Sequence, residues 1–336
     1  MGTNLNIWNL AYSVTNMCNL QCVHCYASSG KAYKNELDIR QIETRIIKPA
    51  ADLGTKYVTF TGGEPFMRKD FLKIIEITRA HGIEVSIATN GVMLDDRTIA
   101  VLHDYHVARV QISIEGSTAR LNDKIRGFGV FEKLTKQVIP QLLNANLFVA
   151  ISFTPTSKNI FDIKGMADMC AKLGVPSLSI RRFSNTGRAV ENTLSMAIDQ
   201  GEIIANTIFN LKKEYAGVVN ISSGDPTVML SNPNIDNYVN GNYLSGCTAG
   251  ITSLAIDSVG NIKPCTKANL FLGNVITDNL SLVWNTNEIL LKLRDRNNLI
   301  GKCGGCKYKM LCGGCRVEAL NKHDNIFEED DWCWIN

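Results

Sequence analysis

Eleven cysteines in a chain of 336 residues are the first feature of this sequence with chemical content. Cys18, Cys22 and Cys25 form a CxxxCxxC loop near the start. Cys247, Cys265, Cys303, Cys306, Cys312, Cys315 and Cys333 occupy the last quarter, and Cys170 stands alone. A disulfide framework belongs to oxidising compartments and to chains too small to build a core, and neither condition holds here. Three thiolates on one short loop can cap one face of a small metal centre, but that loop has no fourth thiolate. Taken alone, the loop is open to two readings. Zinc would recruit His24 as a local fourth donor. An iron–sulfur cluster ordinarily takes four cysteines, so one held by three leaves an iron open.

The C-terminal pairs Cys303–Cys306 and Cys312–Cys315 form CxxC-x5-CxxC. A zinc ribbon would use these four and leave Cys247, Cys265 and Cys333 unexplained. Its pairs also stand roughly 15–20 residues apart, well beyond the gap here.

The elements that must position these residues follow from periodicity. Short runs rich in Val, Ile and aromatics predict strands at 8–13, 57–61, 84–89, 107–114, 148–154 and 177–180. Between them, helical spacing predicts helices at 38–53, 69–81, 95–105, 131–145 and 160–173. Six strand-then-helix units imply a parallel sheet covered by helices, an α/β fold that suits a partial (β/α)6 barrel better than a closed eight-fold one. In such folds ligands sit at the carboxyl ends of the strands. The cysteine loop follows the first strand there, Thr61-Gly62-Gly63-Glu64-Pro65 the second and Thr89-Asn90-Gly91 the third, while Ser113-Ile114-Glu115-Gly116 closes the fourth. A helix near 199–215 and an Asn-, Ser- and Gly-rich passage at 222–242 then lead to a C-terminal region poor in regular structure, whose fold is expected to depend on metal. The expected organisation is a barrel at 1–200, a helical and loop linker at 201–242, and a small loop-rich domain at 243–336.

These residues strongly resemble the radical S-adenosylmethionine (radical SAM) superfamily, whose signature is this cysteine loop after the first barrel strand. The resemblance covers roughly residues 8–182. It implies a [4Fe–4S] cluster on Cys18, Cys22 and Cys25, with S-adenosylmethionine chelating its fourth iron; His24 conforms to the aromatic or imidazole residue usual before the third cysteine. Thr61–Pro65 looks like the family's GGEP motif, with Glu64 as the candidate contact to the methionine amino group. Glycines at 62 and 63 are expected to let the backbone approach the ligand. Asn90, Ser113 and Glu115 resemble positions near the ribose and carboxylate, and Arg126 is a candidate for the carboxylate. For Ser113 and Glu115 a strand-end hydrogen bond and a solvated acid stay open as alternatives.

The last quarter resembles the SPASM extension of many such enzymes, which holds two auxiliary clusters. Carried over by position, Cys303, Cys306, Cys312 and Cys333 would complete one cluster, and Cys247, Cys265 and Cys315 would serve the other. The family's last pair is often spaced CxxxC, whereas Cys312 and Cys315 are spaced CxxC. Three [4Fe–4S] clusters are therefore expected. The activity implied is one-electron cleavage of S-adenosylmethionine to a 5′-deoxyadenosyl radical that abstracts a substrate hydrogen. A ribosomally made peptide or protein is the leading substrate class, with tetrapyrroles of haem biosynthesis or other small molecules as alternatives. Flavodoxin or ferredoxin would supply the electron. Only 17 residues precede Cys18, so a peptide substrate is expected to need a separate leader-recognition protein or direct binding.

A non-catalytic iron–sulfur or zinc protein is the alternative of another class, against which the intact cysteine loop and Glu64 argue. Arg181, Arg182 and Arg188 form a basic trio; the first two follow the sixth strand and so lie toward the same open face, where they either meet an anionic substrate or solvate a loop. The acidic run 328–331 reads as solvated, and Cys170 as a small buried hydrophobe. With 35 Lys+Arg against 32 Asp+Glu, the charge is too balanced to announce nucleic acid or an anionic membrane. No apolar run reaches the roughly 18–20 residues of a membrane span, and residues 1–9 lack a secretory signal. A cytoplasmic location is expected.

Overall fold

The computed structural model describes residues 6–192, 194–239 and 245–335; the expected junction at 242–243 lies outside them. Six strands form where periodicity predicts them: β1 (Asn9–Ser13), β2 (Tyr57–Thr61), β3 (Glu84–Thr89), β4 (Arg109–Ser113), β5 (Val149–Phe153) and β6 (Ser177–Ile180). All pair in parallel and in chain order. The first helical stretch starts where Asp38 accepts from the Gln41 N–H and Gln41 returns a bond to Asp38 N–H, a capping box. An unforeseen helix, Ala119–Arg126, enters between β4 and the next long helix.

The sheet runs further than six strands. The stretch expected as a linker carries the helix Ile198–Glu214 and a strand, β7 (Asn220–Ser223), which pairs in parallel with β6. On the opposite edge the C-terminal region supplies β8 (Ser253–Ile256), parallel to β1, followed by antiparallel β9 (Asn261–Lys263) and β10 (Gly273–Asn274). Among the described residues the order is β10-β9-β8-β1-β2-β3-β4-β5-β6-β7, with the two ends unjoined. The cysteine-rich region is thus built onto the barrel's own sheet.

The strands explain why the barrel is hollow. Leu10, Tyr12, Val58, Phe60, Val85, Ile87, Val110 and Ile112 are buried and pack in one core with the helices. Their alternates, Asn9, Ala11, Thr59, Thr61, Ala88, Gln111 and Ser113, face a cavity of about 810 Å³. Side chains alternate between faces with period two. Small and polar residues on the concave face therefore leave the lumen unfilled, where a closed eight-fold barrel packs bulky aliphatics.

A buried carboxylate joins the two regions. Asp330, fully buried, accepts from Arg182 at 2.6 and 2.8 Å, from the Cys315 N–H at 2.7 Å and from the Trp332 N–H at 3.1 Å. Arg182 also reaches Asp225 at 3.2 Å and lies over the Trp332 ring. The solvated-loop expectation for Arg182 is thereby corrected: it is buried and ion-paired. The acidic run 328–331 is not simply a solvated segment either: Asp330 is at its centre, and Glu329 accepts from Lys302 N–H. Removing one partner of a buried pair strands the other charge, so Asp330→Ala is expected to destabilise the protein by about 3–5 kcal/mol. Lys136→Ala, which breaks an exposed pair with Glu132, is expected to change stability by ~0.5 kcal/mol or less. Anaerobic denaturant unfolding of the two variants checks the contrast.

Candidate active site

Cys18, Cys22 and Cys25 line the open end of the barrel cavity. Their loop has little regular structure, so other segments hold it. The Cys18 N–H bonds Gly30 O at 2.9 Å, and Val23 N–H bonds Ile125 O at 3.1 Å. Arg188 donates to Cys22 O at 3.0 Å and Ser29 O at 2.8 Å, which gives this arginine a loop-clamping position. Polar hydrogens point at the sulfurs: Leu20 N–H to Cys18 Sγ at 3.4 Å, and Arg126 Nη1 to Cys22 Sγ at 3.8 Å. Burial pushes the Cys18 and Cys22 thiols up, so metal ligation has to displace their protons.

Gly62 and Gly63 have a packing role within the protein that their motif did not announce. A Cβ on Gly62 would stand 2.3 Å from Thr15 O, and one on Gly63 would stand 2.2 Å from Met17 O. The glycines let the turn after β2 press against the cysteine loop. Gly63 N–H and Glu64 N–H bond Thr15 O and Met17 O, each at 2.8 Å. Both glycines still line the cavity.

Glu64 is fully buried and accepts from Thr89 Oγ1 at 2.6 Å and Asn90 N–H at 2.7 Å. Among the described residues no cation contacts it. Burial, outweighing those hydrogen bonds, raises its pKa to about 7. Asn90 holds Asn19 of the cysteine loop at 2.8 Å, and Ser113 lines the cavity. Glu115 is a second buried acid with the opposite balance. It accepts from Arg126 at 2.6 Å and Thr154 N–H at 2.7 Å, and His24 Nε2 lies 3.1 Å away. The solvated-acid alternative for Glu115 is excluded. Although burial opposes it, the charges of His24 and Arg126 hold its carboxyl below the usual range. Arg126 thus spans Glu115 and Cys22, leaving its Nε buried without a partner, as is His24 Nδ1.

The later cysteines divide between two cavities. Cys247, Cys265 and Cys315 line the barrel cavity together with Cys18, Cys22 and Cys25. Cys303, Cys306, Cys312 and Cys333 line a separate one of about 350 Å³. Here too N–H groups meet sulfur: Tyr308 N to Cys306 at 3.3 Å, Gly314 N to Cys312 at 3.4 Å and Asp330 N to Cys303 at 3.4 Å. Two arginines that the sequence did not flag organise these loops. Arg296 donates to Cys247 O at 2.9 Å, Lys309 O at 2.8 Å and Ser245 O. Arg316 donates to Glu328 O at 2.7 Å and to Cys303 Sγ at 3.5 Å. The only sequence signal was an arginine directly after Cys315. Cys170 is buried within the helix Ile163–Leu173, as expected of a small hydrophobe.

The donor set fits iron–sulfur better than zinc. Thiolates around one tetrahedral zinc at ~2.3 Å would sit about 3.8 Å apart. Among the described residues no three cysteine sulfurs lie within 4.8 Å of one another.

The two buried acids act oppositely on stability. Glu64 binds its proton more tightly when folded, so its contribution falls as pH rises from the ordinary carboxyl range through about 7. Glu115 holds its proton less tightly when folded, so its contribution is present above the ordinary carboxyl pKa and is lost as pH falls through the depressed one. Glu115→Gln strands Arg126 and is expected to cost about 3 kcal/mol at pH 7. The gap to the parent should close on acidification below the ordinary carboxyl pKa, as read by denaturant unfolding against pH.

Comparison with known proteins agrees with this geometry. The model for the radical SAM superfamily matches residues 12–169, and that for SPASM, an iron–sulfur cluster-binding domain, matches residues 247–307. An AdoMet-dependent heme synthase of Methanosarcina barkeri is 28% identical over 96% of this chain and 95% of its own length. The mycofactocin maturase MftC of Mycobacterium tuberculosis is 32% identical over 92% of this chain and 77% of its own. In fold, the chain is similar to Streptococcus suis SuiB bound to precursor peptide SuiA, with a TM-score of 0.81 and 18% identity over 99% of this chain and 77% of SuiB. No helix among the described residues is long and apolar enough to cross a membrane. The chain belongs to the radical SAM superfamily and is a radical SAM enzyme with a C-terminal SPASM iron–sulfur cluster-binding domain.

Proposed function

We propose that this enzyme carries three [4Fe–4S] clusters and uses S-adenosylmethionine to modify a ribosomally made peptide or protein, by crosslinking or side-chain oxidation. The observation that carries this reading is the shared cavity, lined both by Cys18, Cys22 and Cys25 and by Cys247, Cys265 and Cys315. In this reading the first three hold the S-adenosylmethionine cluster, and Cys247, Cys265 and Cys315 hold an auxiliary one on the same cavity. Cys303, Cys306, Cys312 and Cys333 hold the other. When bound, the first cluster and S-adenosylmethionine supply a 5′-deoxyadenosyl radical, which removes a hydrogen atom from an unactivated substrate C–H bond.

The chain's own residues bind and orient. Gly62, Gly63, Glu64, Asn90, Ser113, Glu115 and Arg126 are assigned to the S-adenosylmethionine site. Glu64, buried without a contacting cation among the described residues, gains a charge-assisted bond from a ligand ammonium. The partnerless Arg126 Nε–H is free to meet a ligand acceptor and His24 Nδ1 to bond a ligand polar group, while Glu115 keeps Arg126 and His24 in place. A small electron carrier of the flavodoxin or ferredoxin kind supplies the electron. The peptide assignment draws on the likeness to MftC and to peptide-bound SuiB.

A tetrapyrrole is the second reading, favoured by the nearly end-to-end match to the heme synthase. The test is anaerobic reconstitution with iron and sulfide, addition of dithionite and S-adenosylmethionine, and detection of 5′-deoxyadenosine by mass spectrometry. About twelve irons per chain are expected from three clusters, falling to about eight in the Cys18/Cys22/Cys25→Ala variant. That variant should make no 5′-deoxyadenosine; continued cleavage would sink the assignment of the first site. Stimulation of cleavage by a precursor peptide encoded beside this chain supports the peptide reading, and stimulation by an iron porphyrin supports the second.

A further inference from the structure

Seven cysteines lie in the C-terminal region, one short of the eight thiolates that two fully ligated [4Fe–4S] clusters take. Four of the seven line the smaller cavity, so the deficit falls on Cys247, Cys265 and Cys315. Cys170 lies buried in a barrel helix and does not make up the difference.

One acid on the same cavity wall has lost its usual employment. Cys315 is the N-cap of the helix Arg316–His323, which places Glu318 at N3. A Glu at N3 ordinarily reaches back to the N-cap backbone N–H and completes a capping box. Here the Cys315 N–H is already taken by Asp330 at 2.7 Å, and the cap carries no side-chain hydrogen bond. Glu318 Oε1 is buried with no hydrogen-bond partner, an arrangement that destabilises the fold unless something else satisfies it. Glu318 lines the barrel cavity with all three cysteines. It interacts electrostatically with Cys315, and Lys267 interacts with Cys265, Cys315 and Glu318 together. Arg182 and Asp330 act on it through their charges and Ser184 offers its carboxyl a side-chain hydrogen bond, so Oε1 is the atom left over; among the described residues no ion pair engages it.

We propose that Glu318 is the fourth ligand of the cluster held by Cys247, Cys265 and Cys315, an inference that rests on the cluster assignment above. At N3 the Glu318 carboxylate stays near enough to Cys315 for their charges to interact. It binds iron as the anion and gives up any proton to solvent. A cluster completed in this way has no open iron, so it exchanges electrons with the reaction and does not ligate the substrate. Its oxygen-bound iron is the one most readily lost on oxidation.

The test uses the full chain with Cys18, Cys22 and Cys25 replaced by Ala, so that only the auxiliary clusters assemble. Limited ferricyanide oxidation of the reconstituted protein should strip one iron and give the EPR signal of a [3Fe–4S] cluster. In Glu318→Cys, with a thiolate in place of the carboxylate, that signal should be lost. In Glu318→Ala it should appear faster, or the iron content should fall by about four. Unchanged signal and iron content in Glu318→Ala overturn the proposal, whatever Glu318→Cys does. A Cys247→Ala/Cys265→Ala pair in the same background should also lose about four irons. Retention of that iron overturns the cluster assignment itself, an outcome distinct from a failure of Glu318 alone.

Discussion

The carboxylate of Asp330 is the contact on which the two halves of the molecule depend. It is fully buried and bonded to Arg182 beyond β6, to the backbone of Cys315 and to the backbone of Trp332. A buried carboxylate is strongly unfavourable unless a cation stays beside it. Arg182 therefore cannot leave, and its second bond to Asp225 ties in the segment after β7. One carboxylate thereby seats the cysteine-rich region against the open end of the barrel. It also takes the N–H at the head of the last helix, which brings Cys315 to the cavity and frees Glu318 from capping.

The same physics recurs around the cysteine loops. Segments without ladders leave backbone carbonyls that still require donors. Guanidinium groups meet that need, since one planar fork can serve several acceptors at once. Arg188 does so for the first loop, Arg296 for the Cys247 loop and Arg316 for the segment before Cys333. Arg126 and Arg316 also bring positive charge to Cys22 and Cys303. Such donors offset the negative charge that a thiolate-bound cluster carries, and hydrogen bonds to sulfur are among the influences that set a cluster's potential.

Much of the barrel was legible beforehand because its signals are local. Alternation along β1 to β4 and the apolar faces of the helices reflect neighbours two to four residues apart. The CxxxCxxC loop and the Thr61–Pro65 turn were legible for the same reason, since their spacing is short. β7 and β8 were not foreseen. The first, Asn220–Ser223, has a single aliphatic residue, and the second sits in a region dominated by turn residues. Each becomes a strand because a free sheet edge, supplied by β6 or β1, offers its backbone partners.

The sequence by itself determined the family, the parallel α/β framework and the cysteines available to metal, because residue type and close spacing carry that information. Only the tertiary structure decided that Cys247, Cys265 and Cys315 share the barrel cavity with the first cysteine loop, that Asp330 and Arg182 are a buried bond rather than solvated charges, and that Gly62 and Gly63 accommodate the cysteine loop. The Arg182–Asp330 bond alone joins residues 148 positions apart. The energy of a buried charge or a close backbone approach depends on what the fold sets against it, and one-dimensional spacing does not record that.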